Sequence, residues 1–100
     1  MPVDERSDAP QLVLSGEIDV AVADDLRSAG SRVAAALDPG SRLDIDMGGV
    51  SFIDSSGFGA LVAVHHAATS KGLSTALVNL TPGVRRLVEL SGIGELFVLP

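Results

Sequence analysis

Two hydrophobic periods alternate along this chain and divide it into strands and helices. Short apolar runs predict strands at residues 11–15, 42–47, 73–80 and 95–99. Apolar residues at helical spacing predict helices at residues 20–37, 56–70 and 82–90. Such regular alternation of strands and helices is typical of parallel strands joined by right-handed crossovers. We therefore expect an α/β fold in which three helices cover one face of a mostly parallel sheet of four or five strands.

Turn-forming residues lie between these segments and set their limits. Asp38-Pro39-Gly40 is expected to end the first helix, and Gly72 lies where the second needs a cap. Thr81-Pro82 combines a capping hydroxyl with proline in the first turn, which predicts the start of the third helix. The pair Gly48-Gly49 is expected to end the second strand.

The size of the chain is that of a single domain over residues 1–100. Residues 1–10 are polar, and they either add a short edge strand or are disordered. Apolar residues make up 46% of the chain, but the only aromatic residues are 3 phenylalanines. The predicted core is therefore aliphatic.

Charge and composition exclude several classes of function. The net charge of −6 and the lack of a basic run argue against nucleic acid as a partner. Without cysteine, the chain forms no disulfide, cysteine–zinc site or thiol nucleophile. The longest apolar run, residues 60–64, is too short to span a membrane, and the charged N-terminus does not resemble a signal peptide. We expect a cytoplasmic protein without membrane contact.

The segment 50–59 has the most informative composition. Its apolar residues lead into Asp54, Ser55 and Ser56, and a helix-length apolar segment follows at once. A serine at this place lies where a helix begins, beside free backbone N–H groups and the positive end of the helix dipole, both of which favour an anion. Two interpretations of the segment 54–57 remain open: a helix N-cap, for which serine and aspartate are the commonest residues, and a regulated phosphorylation site.

Catalysis by these serines is not expected. A nucleophile elbow needs glycine two residues before and two residues after its serine, and neither Ser55 nor Ser56 has both. His65 would lie about 15 Å along the helix from Ser55, too far to act as its base. His65 and His66 are adjacent and point about 100° apart, so they form no metal pair. We predict no enzyme activity, no catalytic or metal-binding residue and no cofactor.

Acidic residues accompany the serines. Asp19, Asp46 and Asp54 each follow or end a predicted strand. Because parallel strands end at one edge of a sheet, the three carboxylates are expected to surround the serine site. The alternative is that they are three unrelated, solvated acids at strand ends.

The chain resembles the STAS domain family, and within it the bacterial anti-sigma factor antagonists. The matching segments follow the family's order and spacing across residues 11–99: 12–19 (LVLSGEID), 43–46 (LDID), 50–57 (VSFIDSSG), 81–87 (TPGVRRL) and 90–93 (LSGI). The resemblance implies a STAS-like fold. Family members usually have a further helix after the last strand, and because this sequence ends at Pro100 we expect that helix to be absent. The face it would cover could then support weak self-association.

The resemblance also implies a partner switch that regulates transcription. In this family the antagonist binds an anti-sigma factor, which is also a serine kinase, and so releases a sigma factor for RNA polymerase. The kinase uses ATP and Mg²⁺ to phosphorylate the serine after the motif aspartate, which ends binding, and a PP2C-type phosphatase restores it.

Residue by residue, the resemblance assigns the following roles. Ser55 matches the phosphorylated serine, Asp19 matches the acidic residue beside it, and Asp46 lies where the family often has aspartate or asparagine. The expected partner surface is the corner formed by Asp19 and the start of the second helix. It is completed by Asp54, Ser56, Gly57 and Phe58, the last as an apolar contact. The alternative is a STAS scaffold or accessory subunit, in a stress-signalling complex or transport ATPase, in which Ser55 is not modified.

Overall fold

Strands and helices follow one another along the chain in the computed structural model, which describes residues 1–100. Each helical segment begins one or two residues after a strand or soon after a short turn. The elements, in chain order, are β1 (Val3–Glu5), β2 (Leu12–Ile18), α1 (Val20–Ala36), β3 (Arg42–Ile53), α2 (Ser55–Thr69), β4 (Ser74–Val78), α3 (Pro82–Ser91) and a 3₁₀ helix (Ile93–Leu96).

The strands form one four-stranded sheet in the order β1-β2-β3-β4. β2, β3 and β4 run parallel, whereas β1 pairs antiparallel with β2, with Val3 opposite Leu14 and Glu5 opposite Leu12. Residues 1–10 therefore contain an edge strand. The prediction of a mostly parallel sheet with three α-helices is confirmed.

The core lies between one face of the sheet and the helices. Alternate strand residues such as Leu12, Leu43 and Ile45 are fully buried, as the strand period predicts. Together with buried residues of all three α-helices they form a single cluster of 22 residues, in which Phe97 is the only aromatic. The helices therefore cover one face of the sheet, and the core is aliphatic as predicted.

Helices α1 and α2 approach each other closely within this layer. A Cβ atom on Gly30 of α1 would lie only 2.4 Å from the Cγ2 atom of Val64 in α2. Only glycine fits at this contact, because a methyl group would overlap the valine side chain. Both helices lead away from the carboxyl ends of the parallel strands, so their N-termini lie at the same side of the sheet.

The prediction that Gly48-Gly49 ends the second strand is wrong. β3 continues to Ile53, and its pairing with β2 shifts by one residue between Asp46 and Gly49 and again before Phe52. A Cβ atom on Gly49 would lie 3.2 Å from the carbonyl oxygen of Leu14. Glycine in a strand often marks an irregularity or a close backbone approach, and here it does both.

The predicted strand at residues 95–99 is also wrong in most of its length. Gly92 ends α3 in the left-handed conformation (φ 80°), and residues Ile93–Leu96 turn as a 3₁₀ helix. Only Val98 pairs with β4: its N–H donates to the carbonyl of Thr75 at 2.8 Å, and its carbonyl accepts from Leu77 at 3.0 Å. The fifth strand is thus reduced to one bridging residue.

Candidate functional site

Two aspartates hold the first turns of α1 and α2. An Asp19 side-chain oxygen accepts a hydrogen bond from the N–H of Ala21 at 3.1 Å, and an Asp54 oxygen accepts from Gly57 at 3.0 Å. These bonds satisfy N–H groups that have no partner within the helix. Two of the three aspartates of the predicted site, Asp19 and Asp54, are therefore N-caps as well as acidic residues beside the serines.

Ser55 is the first residue of α2, and its side chain is exposed, whereas Ser56 is half-buried. The predicted N-cap within the segment 54–57 is confirmed for Asp54, which supplies the capping oxygen, and is wrong for the two serines. Asp54 caps α2 from outside the helix, and Ser55 is the first helical residue. The Ser55 hydroxyl is therefore free for another role.

Gly57 fixes where α2 begins. A Cβ atom on this residue would lie 2.3 Å from the carbonyl oxygen of Ile18 and 2.7 Å from the Cγ1 atom of Ile53. The same Ile18 carbonyl accepts a hydrogen bond from the N–H of Asp54 at 3.3 Å. Because Ile18 and Ile53 are paired in the sheet, the first turn of α2 lies against the connection that carries Asp19.

Asp46 does not belong to this corner. It pairs with Val13 of β2, and from there β2 runs five more residues, about 17 Å, to Ile18 at its carboxyl end. Asp46 lies instead beside the end of β4, where it pairs with Val78, and its side chain accepts a hydrogen bond from the N–H of Gly48 at 2.8 Å. The expectation that three carboxylates surround Ser55 is wrong for Asp46, because β3 does not end where the sequence suggested.

Apolar side chains lie close to the capped corner. Phe58, predicted as a partner contact, is half-buried and packs against the core. Val20 and Phe52 were not predicted, yet their side chains are 74% and 48% exposed. Val20 follows Asp19 directly, and Phe52 precedes Asp54 by two residues. The inward direction of Ile53 was a usable signal, because its neighbour Phe52 must then point outwards.

The two histidines have structural surroundings. The Nδ1 atom of His65 lies 2.7 Å from the Oγ1 atom of Thr75, and its ring packs 5.4 Å from that of Phe97. Burial lowers the pKa of His65, and the charge of neighbouring His66 lowers it further. The chain has no cluster of three or more His, Asp or Glu residues that could hold a metal ion. No helix combines the length and the apolar character that a membrane span requires.

Comparison with known proteins places this geometry in a family. The sequence matches the family described as "Mlab, STAS domain" over residues 1–100. It is 31% identical over 86 residues to the anti-sigma-B factor antagonist of Bacillus subtilis (strain 168), covering 86% of this chain and 76% of that protein.

Solved structures agree with this match. An anti-sigma factor antagonist from Mycobacterium paratuberculosis superimposes with a TM-score of 0.76 at 29% identity, covering 97% of this chain and 82% of the other. The Bacillus cell fate determinant SpoIIAA in its phosphorylated form has a TM-score of 0.69 at 23% identity, covering 98% and 90%. With a family match along its whole length and the same fold as these antagonists, the chain belongs to the STAS domain family.

Proposed function

We propose that this protein is an anti-sigma factor antagonist whose binding to an anti-sigma factor serine kinase is ended by phosphorylation of Ser55. The observation that carries the proposal is the exposed Ser55 side chain at the first position of α2, directly after an aspartate that already caps the helix. The role of the Bacillus subtilis relative as an anti-sigma-B factor antagonist supports the choice of partner.

A phosphate on Ser55 is compatible with the folded domain. The capping bond from Gly57 to Asp54 does not involve the Ser55 hydroxyl, so modification leaves the helix start intact. Phosphorylation adds about −1.5 to −2 charges, which the positive end of a helix dipole tolerates well. The effect of the phosphate therefore falls on the surface that a partner meets.

The residues around Ser55 form a surface that suits partner binding, and a phosphate on Ser55 would prevent that binding. Exposed Val20 and Phe52 and half-buried Phe58 offer apolar contacts, while Asp19 and Asp54 supply negative charge. A phosphate dianion in such an interface would have to lose its water beside two carboxylates, which is unfavourable. Removal of the phosphate by a PP2C-type phosphatase would restore binding, and the bound anti-sigma factor would release its sigma factor.

Intact-mass spectrometry tests the proposal directly. The protein is incubated with ATP, Mg²⁺ and the candidate anti-sigma kinase, and the modified residue is located by peptide mapping. We expect one added phosphate, lost in Ser55→Ala and kept in Ser56→Ala, which is the matched control on the next residue. A stable complex without phosphate would contradict the switch, and would favour an unmodified scaffold or an accessory subunit of a stress-signalling complex or transport ATPase.

A further inference from the structure

We propose that Arg27 of α1 is the intramolecular counter-ion of a phosphate carried by Ser55. The inference rests on the proposed phosphorylation of Ser55, and it adds a residue that has no place in the family motifs described above. Its basis is a contact between the Arg27 side chain and the outer face of α2.

The guanidinium of Arg27 reaches across the α1–α2 groove. A Cβ atom built on Gly59 of α2 would lie 3.7 Å from the Nη2 atom of Arg27, the only atom within 4 Å apart from the adjoining residues and backbone of α2 itself. Gly59 is exposed, and the guanidinium of Arg27 lies against this face of α2. The close contact between Gly30 and Val64 holds the two helices at this separation.

Ser55 lies on the same face of α2 as Gly59, one turn nearer the N-terminus. Residues four apart on a helix have Cβ atoms about 6 Å apart, so the Nη2 atom of Arg27 can be no farther than about 10 Å from the Cβ atom of Ser55. Side chains of α1 lean towards its N-terminus, and α1 and α2 leave the same edge of the sheet. This general direction favours an approach of Arg27 to Ser55, and a phosphoserine together with this long side chain can close the remaining gap.

Arg27 has at present only a weak partner. Its Nη1 atom lies 3.0 Å from a carboxylate oxygen of Asp24, and the two side chains are 45% and 94% exposed. An exposed pair of this kind is screened by water and holds the arginine weakly. A phosphate dianion has more charge and matches the guanidinium with two parallel hydrogen bonds, so it would draw Arg27 away from Asp24.

The pairing would keep the phosphate doubly charged at neutral pH. The second pKa of phosphoserine is about 6, and the carboxylates of Asp19, Asp24 and Asp54 act to raise it. A guanidinium beside the phosphate lowers it again and keeps the group doubly charged. Arg27 would thus hold the phosphate as a dianion and in one position against α1.

The test uses protein in which phosphoserine is incorporated at position 55 during translation, without a kinase. Phosphorus-31 NMR then gives the second pKa of the phosphate in the wild-type background, Arg27→Gln, Arg27→Lys and Arg32→Gln. Arg32 is the matched control, since it is also on α1 but pairs with Glu5 at 2.8 Å. We expect the phosphate pKa to rise by about half a unit or more in Arg27→Gln, to rise less in Arg27→Lys, and to stay unchanged in Arg32→Gln. Equal values in the wild-type background and Arg27→Gln would overturn the proposal.

A second measurement needs no substitution that could disturb folding. In nitrogen-15 spectra of the wild-type phosphoprotein, the chemical shift of the Arg27 Nε–H group is expected to change with pH at the pKa of the phosphate. A chemical shift that does not change as the phosphate titrates would overturn the pairing. Failure of the kinase to modify Ser55 would reject the proposed function, whereas an unchanged phosphate pKa in Arg27→Gln would reject only the role of Arg27.

Discussion

A Cβ atom on Gly57 would lie 2.3 Å from the carbonyl oxygen of Ile18, so the first turn of α2 and the end of β2 are in backbone contact. The same carbonyl accepts a hydrogen bond from Asp54 at 3.3 Å. This contact joins the segment that carries Ser55 to the one that carries Asp19. The glycine of the motif therefore has a packing role that is independent of any partner.

Replacement of Gly57 by alanine is expected to destabilise the domain by about 2 kcal/mol, because the methyl group would overlap a backbone oxygen that cannot move alone. Urea unfolding followed by circular dichroism measures the change. Gly59→Ala is the matched control, since its methyl group would meet only Arg27, at 3.7 Å, and alanine favours the helix by up to about 1 kcal/mol. Equal losses in the two variants would contradict the packing role of Gly57.

Removal of the Asp54 side chain is expected to cost about 1 kcal/mol of folding free energy, because Asp54→Ala leaves the N–H of Gly57 without its capping oxygen. Ser55→Ala should change stability by less than about 0.5 kcal/mol, since the exposed hydroxyl is not the cap. Thermal unfolding of both variants distinguishes these roles. A larger loss in Ser55→Ala than in Asp54→Ala would return the capping role to the serine.

The sequence predicted the core of the fold because periodicity reports burial. Strand residues such as Leu43 and Ile45 alternate with polar neighbours, and both are fully buried in the structure. Thr81 was predicted as the N-cap of α3 from its hydroxyl and the following proline, and it accepts from the N–H of Val84 at 3.4 Å. Local chemistry was sufficient for these features.

Features that depend on contacts between distant segments were not predictable in this way. From the sequence, Gly48-Gly49 predicts the end of a strand, but β3 stays paired with β2 as far as Ile53. Asp46 therefore lies away from the expected site. Arg27 had no local signal, since its relation to the outer face of α2 arises only from the packing of α1 against α2. The start of a helix at the serine motif was predicted correctly, but which residue caps that helix required the backbone geometry.

Acidification is expected to weaken folding through His65. Burial lowers the pKa of this side chain below its ordinary value of 6.5, so the unfolded chain binds a proton more readily than the folded domain. The contribution of neutral His65 to the free energy of unfolding is fully present above pH 6.5. It is lost as the pH falls from 6.5 through the pKa of His65 in the folded domain. The difference between urea midpoints at pH 7.5 and pH 5.5 should therefore be smaller in His65→Gln than in the wild type.

His66→Gln provides the comparison for this pH effect, because His66 is exposed and adjacent. It should keep most of the pH dependence of the wild type, since desolvation of His65, the larger cause of its lowered pKa, remains. A proton NMR titration giving His65 a pKa above 6.5 would reverse the sign of the effect and refute the prediction.

Partner binding is expected to depend on Phe52. Its side chain is 48% exposed beside the capped corner, so truncation costs the fold little but removes apolar area that a partner could bury. Phe52→Ala should weaken binding to the anti-sigma kinase by at least about 1 kcal/mol, roughly fivefold in Kd. Isothermal titration calorimetry in the absence of ATP measures the unmodified complex.

Leu90→Ala is the matched control for Phe52, because Leu90 is 72% exposed but lies near the end of α3, away from the start of α2. Its replacement should leave the Kd unchanged. The opposite result, with binding lost in Leu90→Ala and kept in Phe52→Ala, would move the partner surface to the C-terminal side of the domain. A phosphate on Ser55 could then no longer act by blocking a direct contact.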